Sequence, residues 1–220
     1  MISTHSTFFF CDVCDTLYRS NTTFDFIRFV VAKRSKLQHF LLKLISSTRS
    51  PLFYMLILLN KATHRDWPRQ LALRFLRGMT AEELDKEALT FYHEFLVPRA
   101  NEEVFHYIRQ PGVTAILLSS SIQPVIKAIA TANQLSYFSS ELAMEQGKAT
   151  GKLLEDMTGR KHETAKRLIA ELALSSFGVI TDNRTDWQLV QLADERLVVV
   201  ANESQKQFWK SLNPHFILIR

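Results

Sequence analysis

The spacing of apolar residues divides the first half of the chain into a short strand and a helical block. The apolar run at residues 8–13 predicts a buried strand. From residue 22 to about residue 95, apolar positions recur at helical spacing with Lys and Arg between them, as in FDFIRFVVAKRSKLQHFLLKLI. Pro51 interrupts this series, and Thr80 with Glu83 predicts a capping box that opens a further helix.

After Pro111-Gly112 the pattern alternates between strands and helices. Strands are predicted at 113–118, 135–142, 177–181, 197–201 and 216–219, and helices at 122–132, 162–174 and 187–193. Between them, MEQGKATGKLLEDM, with Gly147 and Gly151, predicts a hairpin or loop excursion.

Strands that are separated by helices require a parallel sheet with helices on both faces. The predicted fold class is therefore α/β, a Rossmann-like parallel sheet that carries an inserted, all-helical cap domain. Residues 1–17 and 103–220 are expected to form the core domain, and residues 18–102 the cap. The insertion would lie at the carboxyl edge of the sheet, where ligands bind in open α/β folds.

Composition indicates an ordinary globular protein, with 46% hydrophobic and 22% charged residues in 220. The net charge of +5 is unevenly placed, because residues 18–80 hold twelve Lys/Arg against two Asp/Glu. Such a basic segment suggests an anionic partner, although a solvated basic helix face explains it equally. Nucleic acid is not expected as that partner, since no recognised binding motif accompanies the charge.

The run PLFYMLILL at residues 51–59 is the most apolar part of the helical block. It is shorter than the ~20 residues of a spanning helix, so core packing or contact with a membrane surface is expected. The cations that could face an anionic membrane are Lys33, Arg34, Lys36 and Lys43. No secretion signal is recognisable at the N-terminus, so a cytoplasmic location is expected. The pattern leaves the oligomeric state open.

The two cysteines, Cys11 and Cys14, form a C-x-x-C at the end of the first predicted strand. A zinc site would need further cysteines or histidines at ligand spacing, and a redox pair would begin a helix. Side chains three apart in a strand face opposite ways. Two reduced thiols are therefore expected.

Polar residues that suit phosphate chemistry follow the predicted strands or open a helix. They are Asp12 with Thr16, then Ser119, Ser120 and Ser121, then Lys161, and finally Asp182 with Asp186. Hydroxyls and free N–H groups at a helix start can seat a phosphate. Carboxylates from two strand ends can hold Mg²⁺. Each signal alone also fits a loop, a solvated lysine or a helix cap, and their joint order is the more specific observation.

These motifs resemble those of the haloacid dehalogenase superfamily, in particular its phosphoserine-phosphatase-like branch with a helical cap. The resemblance rests on CDVCDTL, LLSSSIQPV, GKATGK, the lysine and TDNRTD. It implies that Asp12 forms an aspartyl-phosphate, that Ser119, Ser120 and Lys161 bind the phosphoryl group, and that Thr16 belongs to the catalytic motif. It also implies a Mg²⁺ site made of Asp12, the backbone carbonyl of Cys14, Asp182 and Asp186.

Cys14 departs from the family pattern Asp-x-Asp-x-Thr-Leu, in which a second aspartate acts as general acid and base. A thiol of pKa about 8.5 is a poor substitute, and losing such help typically costs ~10²–10⁴-fold in rate. Asp15 compensates only if its side chain turns inward. Phosphonate-cleaving enzymes and dehalogenases of this superfamily also lack this acid. Dehalogenases do not need the metal-binding acids, so Asp182 and Asp186 argue against that activity. Phosphonatases place a lysine from the cap in the site, and no such lysine can be assigned here.

The expected function is a Mg²⁺-dependent phosphohydrolase for a small or lipid-like phosphorylated metabolite, slowed by Cys14. The alternative is a catalytically decayed protein that binds a phospholigand or has a regulatory role.

Overall fold

The computed structural model describes residues 8–63 and 65–218. Their seven strands form one sheet in the order β4-β3-β2-β1-β5-β6-β7. They are β1 (Phe8–Cys11), β2 (Thr114–Ile122), β3 (Ser136–Glu145), β4 (Lys148–Glu155), β5 (Gly178–Thr181), β6 (Glu195–Val200) and β7 (His215–Leu218). Only the hairpin pair β3–β4 is antiparallel. The predicted α/β class with a Rossmann-like parallel sheet is confirmed.

Ten α-helices, four short 3₁₀ segments and one π-helical turn complete the described part of the chain. The α-helices are α1 (Thr22–Arg34), α2 (Lys36–Ser46), α3 (Pro51–Thr63), α4 (Trp67–Leu73), α5 (Ala81–Phe91), α6 (Glu102–Ile108), α7 (Gln123–Asn133), α8 (Lys161–Glu171), α9 (Trp187–Leu192) and α10 (Glu203–Trp209). The first five, which we call the inserted helices, lie between β1 and β2. Thr80 and Glu83 form the predicted capping box of α5.

Side chains of β1 alternate between two apolar clusters, as a central strand requires. Phe9 and Cys11 pack in a cluster with the inserted helices and α7, whereas Phe8 and Phe10 pack in one with α8, α9 and α10. Phe9 pairs with Gly178 of β5, where an added Cβ would lie 2.2 Å from its ring. The glycine therefore lets the two strands and this ring pack closely.

The inserted helices leave and rejoin the sheet through two adjacent linkers. The N–H of Arg19 donates to the carbonyl of Arg99, and the N–H of Asn101 donates to the carbonyl of Leu17, both at 2.9 Å. Hydrogen bonds also join the far end of the insertion to the β3–β4 hairpin, where Gly78 N–H donates to Ala149 O at 2.8 Å. Backbone hydrogen bonds thus attach the insertion to the core both at its linkers and at its far end.

Several boundaries differ from the sequence prediction. The three serines expected between a strand and a helix lie inside β2, because β2 continues beside β3 to Ile122 after a register irregularity. Helix α10 was not predicted, since its sequence ESQKQFW lacks a helical apolar period. Ile219 of the last predicted strand, and residues 1–7 of the predicted core domain, lie outside the described residues.

No single helix in the described ranges is long and apolar enough to cross a membrane. The helices α2 and α3 meet the length and composition criteria only as a pair that is bent by 54°.

Candidate active site

Asp12 follows β1 directly and lies at the carboxyl edge of the sheet with only 5% exposure. Its Oδ1 accepts a hydrogen bond of 2.7 Å from the N–H of Val13. Lys161, the first residue of α8, places Nζ at 2.7 Å from Asp12 Oδ2 and 3.0 Å from Asp186 Oδ2. The fold therefore joins a candidate nucleophile to the predicted lysine, which is 149 positions away in the chain.

Burial shapes the charges of this cluster. It raises the pKa of Asp12; the ammonium group of Lys161 opposes that rise, and Asp186 adds to it. Burial alone would lower the pKa of Lys161, but the carboxylates of Asp12 and Asp186 outweigh it and raise that pKa. Lys161 is consequently held as a cation between two carboxylates.

Thr16 connects the turn after β1 to the end of β5. Its hydroxyl donates to Asp182 Oδ1 and accepts from the N–H of Asp182, both at 2.9 Å. Burial, followed by the negative charge of Asp12, raises the pKa of Asp182 to about 7. Asp186 lies deeper, where its Oδ2 accepts from both Lys161 and Thr181 Oγ1, the latter at 2.8 Å.

Asp12, Cys14 and Asp182 line one cleft of about 240 Å³. Within the described ranges, no three His, Cys, Asp or Glu side chains come together as a metal-ligand cluster. Of the donors implied for Mg²⁺, Asp12, Cys14 and Asp182 line this cleft, whereas Asp186 does not line it and its Oδ2 accepts from Lys161 and Thr181. Hard oxygen donors of this kind suit Mg²⁺, and the negative charge of Asp12, which adds to the effect of burial in raising the pKa of Asp182, is one that a cation here would offset. The residues present fit the ion.

Cys14 lies where the pattern Asp-x-Asp-x-Thr-Leu has its second aspartate, and the pKa of its thiol is too high for efficient acid–base catalysis. Cys14 Sγ lies 2.9 Å from Thr22 Oγ1, and burial, followed by the charge of Asp12, raises the pKa of Cys14 to about 11. Asp15 is exposed, has a φ of 51°, and lines the same cleft. Desolvation, then the charge of Asp25, raises the pKa of Asp15. Asp15 is thus the second candidate acid at this site.

Both cysteines are free thiols, as expected. Cys11 is buried in β1, and its Sγ donates to the carbonyl of Asp12 at 3.2 Å. Burial raises its pKa well above the usual range. Cys11 is therefore an unreactive thiol with a structural role.

The three predicted serines occupy different environments. Ser119 is fully buried, and its Oγ accepts from the N–H of Ser121 at 3.1 Å. Ser121 Oγ accepts from Thr22 Oγ1 at 2.8 Å and lies 2.9 Å from Thr23 Oγ1. Ser120 lines the cleft beside Asp12. Of the three, Ser120 is the serine that the structure places at the surface of the site.

Arg69 is a site residue that the sequence analysis missed. It lies in α4 and is 7% exposed; Nη1 is 2.8 Å from Asp156 Oδ1 and 2.7 Å from Thr158 Oγ1. Its Nη2 donates to the carbonyl of Ser120 and to Ser140 Oγ. Arg69 also lines the cleft, so the inserted helices supply part of its wall. In the sequence it is one of twelve cations between residues 18 and 80, and nothing there distinguishes it.

A family model described as haloacid dehalogenase-like hydrolase matches residues 9–191. No curated protein matches the chain by sequence. Among solved structures, a protein of unknown function from Bordetella pertussis Tohama I superposes with a TM-score of 0.72 at 12% identity, covering 96% of this chain and 97% of that one.

Two further similar structures are those of enzymes. A phosphoserine phosphatase in apo form has a TM-score of 0.62 at 13% identity, with 98% of this chain and 94% of that chain covered. Cytosolic 5'-nucleotidase IIIB bound to cytidine has a TM-score of 0.63 at 10% identity, with 96% and 80% covered. At these identities the likeness establishes a shared fold.

Proposed function

The chain belongs to the haloacid dehalogenase-like hydrolase family, and from this premise we propose that it is a Mg²⁺-dependent phosphohydrolase acting through an aspartyl-phosphate. The observation that carries the proposal is the buried pair of Asp12 and Lys161, 2.7 Å apart, with Asp182 lining the same cleft. A carboxylate held beside a fixed cation can attack an anionic phosphoryl group, because the cation offsets repulsion between them.

In the proposed reaction, a carboxylate oxygen of Asp12 attacks phosphorus as the bond to the leaving oxygen breaks. Water then attacks phosphorus, releasing phosphate and restoring Asp12. Lys161 holds Asp12 and neutralises the transferring group, with Ser119 and Ser120 as the proposed phosphate-binding serines. Asp12, Asp182 and the carbonyl of Cys14 would hold Mg²⁺, which supplies charge neutralisation when bound. Thr16 positions Asp182, and Asp186 positions Lys161 and remains a proposed ligand.

Proton transfer is the step of the proposed reaction for which the site is least well equipped. Cys14 carries its proton at neutral pH, since its pKa is about 11; it can therefore donate to a leaving alkoxide but activates water poorly. Asp15 lines the cleft and is the alternative group for this role. We expect slow turnover, limited by hydrolysis of the aspartyl-phosphate.

We assign residues 18–102 as the cap, and residues 1–17 and 103–220 as the core, of a cytoplasmic enzyme. The inserted segment supplies Asn21, Phe24, Asp66 and Arg69 to the wall of the cleft. Residues from this segment would then select the substrate, which we propose is a small or lipid-like phosphorylated metabolite.

The test is hydrolysis of 4-nitrophenyl phosphate by the wild type with Mg²⁺, by the wild type in EDTA, and by Asp12→Asn. We expect turnover only in the first case, together with acid-stable incorporation of labelled phosphate that Asp12→Asn abolishes. Turnover that survives Asp12→Asn would refute the nucleophile. If a broad phosphoester panel gives none, the protein is a catalytically decayed binder or regulator, which is the second reading of Cys14.

A second proposal concerns the outer surface of α2 and α3. Large apolar side chains there are 39–67% exposed: Leu37, Phe40, Leu41, Tyr54, Met55, Leu58 and Leu59. The apolar run at residues 51–59 was expected to pack in the core or to contact a membrane surface, and of its side chains only that of Leu56 is buried. An exposed apolar patch of this kind marks an interaction surface. The cations Lys33 and Arg34 at the end of α1, and Lys36 and Lys43 on α2, favour anionic lipid, although Lys33 also pairs with Glu87 at 3.5 Å.

We therefore propose that this patch rests on an anionic membrane surface. Co-sedimentation with vesicles that contain phosphatidylglycerol should exceed that with phosphatidylcholine alone and fall with added salt. Phe40→Ser with Leu58→Ser should abolish it, whereas Leu172→Ser, at an exposed site after α8, should not. Equal binding to both vesicles, or self-association without vesicle binding, would contradict the proposal.

A further inference from the structure

A second cavity, of about 430 Å³, lies between α4 and β4. It shares Asp66, Arg69 and Thr158 with the cleft around Asp12, so the two spaces adjoin. We propose that this second cavity binds another anionic group of the same substrate. The substrate would then be a phosphomonoester that also carries a phosphate, a phosphodiester or a carboxylate. This inference rests on the proposed function and adds the substrate class to it.

The charges that line the cavity favour an anion. Asp156 pairs with Arg69 at 2.8 Å, and Asp66 Oδ1 accepts the N–H of Arg69 at 3.1 Å as the cap of α4. These two acids are therefore already engaged. Three cations also line the cavity: Arg65, Arg74 and Lys152. Across residues 8–63 and 65–218, the structure shows no ion pair for any of these three.

The backbone holds two of these cations near each other on different segments. Arg74 follows α4, and Gly151 precedes Lys152 in β4; a Cβ added at Gly151 would lie 2.8 Å from Arg74 Cα. The φ of Gly151 is +77°, a conformation that favours glycine. The hairpin is further attached by Ala149 N–H, which donates to Met79 O at 2.8 Å. Because the Arg74 and Lys152 side chains both line the cavity, they give it a positive potential, which a bound anion neutralises.

A single exposed cation is usually solvated and is not part of a binding site. Here the cations line a cavity that adjoins the cleft around Asp12. The two adjoining spaces, about 240 and 430 Å³, together lie within the ~300–1,000 Å³ of typical small-ligand sites. Arg69 lies between them and is fixed by its hydrogen bonds to Ser140 and Thr158. One end of an elongated substrate would meet Asp12 and the other end Arg74 and Lys152.

The experiment compares alkyl monophosphates with diol bisphosphates of the same carbon number, from roughly two to six carbons, in Mg²⁺. For the best-fitting length, we expect KM for the bisphosphate to be about tenfold lower than for the alkyl phosphate, because charge-assisted contacts are among the stronger hydrogen bonds. Arg74→Gln and Lys152→Gln should each reduce that KM ratio about threefold, because each removes one of the two cations that share the contact. Arg77→Gln, an exposed cation outside this cavity, should leave it unchanged. Matched ω-carboxyalkyl phosphates then identify which anion is preferred.

Equal KM values for the two series at every length, or equal effects of all three variants, would overturn the inference while leaving the phosphohydrolase intact. If the wild type turns over neither series, calorimetry with the bisphosphates decides. Binding that Arg74→Gln and Lys152→Gln weaken about threefold, and Arg77→Gln does not, would support the anion site and reject only the hydrolase. Absence of both turnover and binding would reject the two proposals together. Unchanged melting temperatures would confirm that the variants are folded.

Discussion

Removal of the Lys161 side-chain charge should destabilise the protein strongly. Lys161 is 4% exposed and pairs with Asp12 at 2.7 Å and Asp186 at 3.0 Å. In Lys161→Met, Asp12 keeps the hydrogen bond from Val13 N–H, and Asp186 keeps that from Thr181. Neither contact supplies a positive charge, so two buried carboxylates lose their cation.

Removing one partner of a buried ion pair typically costs ~3–5 kcal/mol. For a chain of this size, each kcal/mol corresponds to about 2–4 °C in melting temperature. We therefore expect Lys161→Met to melt roughly 6–20 °C below the wild type. Because Mg²⁺ would bind the freed carboxylates and mask the loss, the comparison belongs in EDTA.

Thermal and urea unfolding, followed by circular dichroism, measure this effect. Lys166→Met is the matched control, since Lys166 lies on the same helix but is exposed, and it should change stability by less than ~0.5 kcal/mol. Adding Asp186→Asn to Lys161→Met should recover part of the loss, because one unpaired carboxylate is removed. If Lys161→Met is as stable as Lys166→Met, or if Asp186→Asn has the same effect in both backgrounds, the buried ion triad does not contribute as described.

Three further predictions concern the same site. Cys14→Asp should raise turnover of alkyl phosphates by up to ~10²–10⁴-fold by restoring an acid and base; an unchanged rate, with Asp15→Asn abolishing activity, would assign that role to Asp15. The raised pKa of Asp182, about 7, means that the folded state binds more protons than the unfolded state above pH ~4. Stability in EDTA should therefore fall as pH rises towards 7. In Asp182→Asn, the midpoint of urea unfolding should vary less with pH than in the wild type. The same pH dependence in both proteins would refute the raised pKa of Asp182. Arg69→Leu removes four hydrogen bonds and should cost at least the ~1.5–3 kcal/mol that one hydrogen bond to a charged group contributes. Arg65→Leu, at an exposed position, should cost under ~0.5 kcal/mol in the same urea titration, and equal losses would contradict the role of Arg69.

Much of the fold follows from local pattern. The apolar run before Asp12 and the regular alternation after Pro111 are enough to predict a parallel sheet, because a strand that is buried on both faces must be apolar throughout. The prediction of a capping box at Thr80 is confirmed for a similarly local reason, since its two hydrogen bonds join residues three positions apart. The candidate motifs at Asp12, Lys161 and Asp182 were also visible, as each is a short phrase next to an element boundary.

The fold class, the helical insertion and the chemical types of the site residues can be predicted from the chain alone, because these depend on neighbours in sequence. Which of these residues meet is seen in the folded chain. Lys161 bridges Asp12 and Asp186. Ser119 accepts a hydrogen bond within β2, whereas Ser120 and Arg69 line the cleft. These contacts join residues far apart in sequence, so their distances depend on how helices and strands pack. Arg69 shows this most clearly, since it resembles any other cation of its segment until α4 packs beside the sheet.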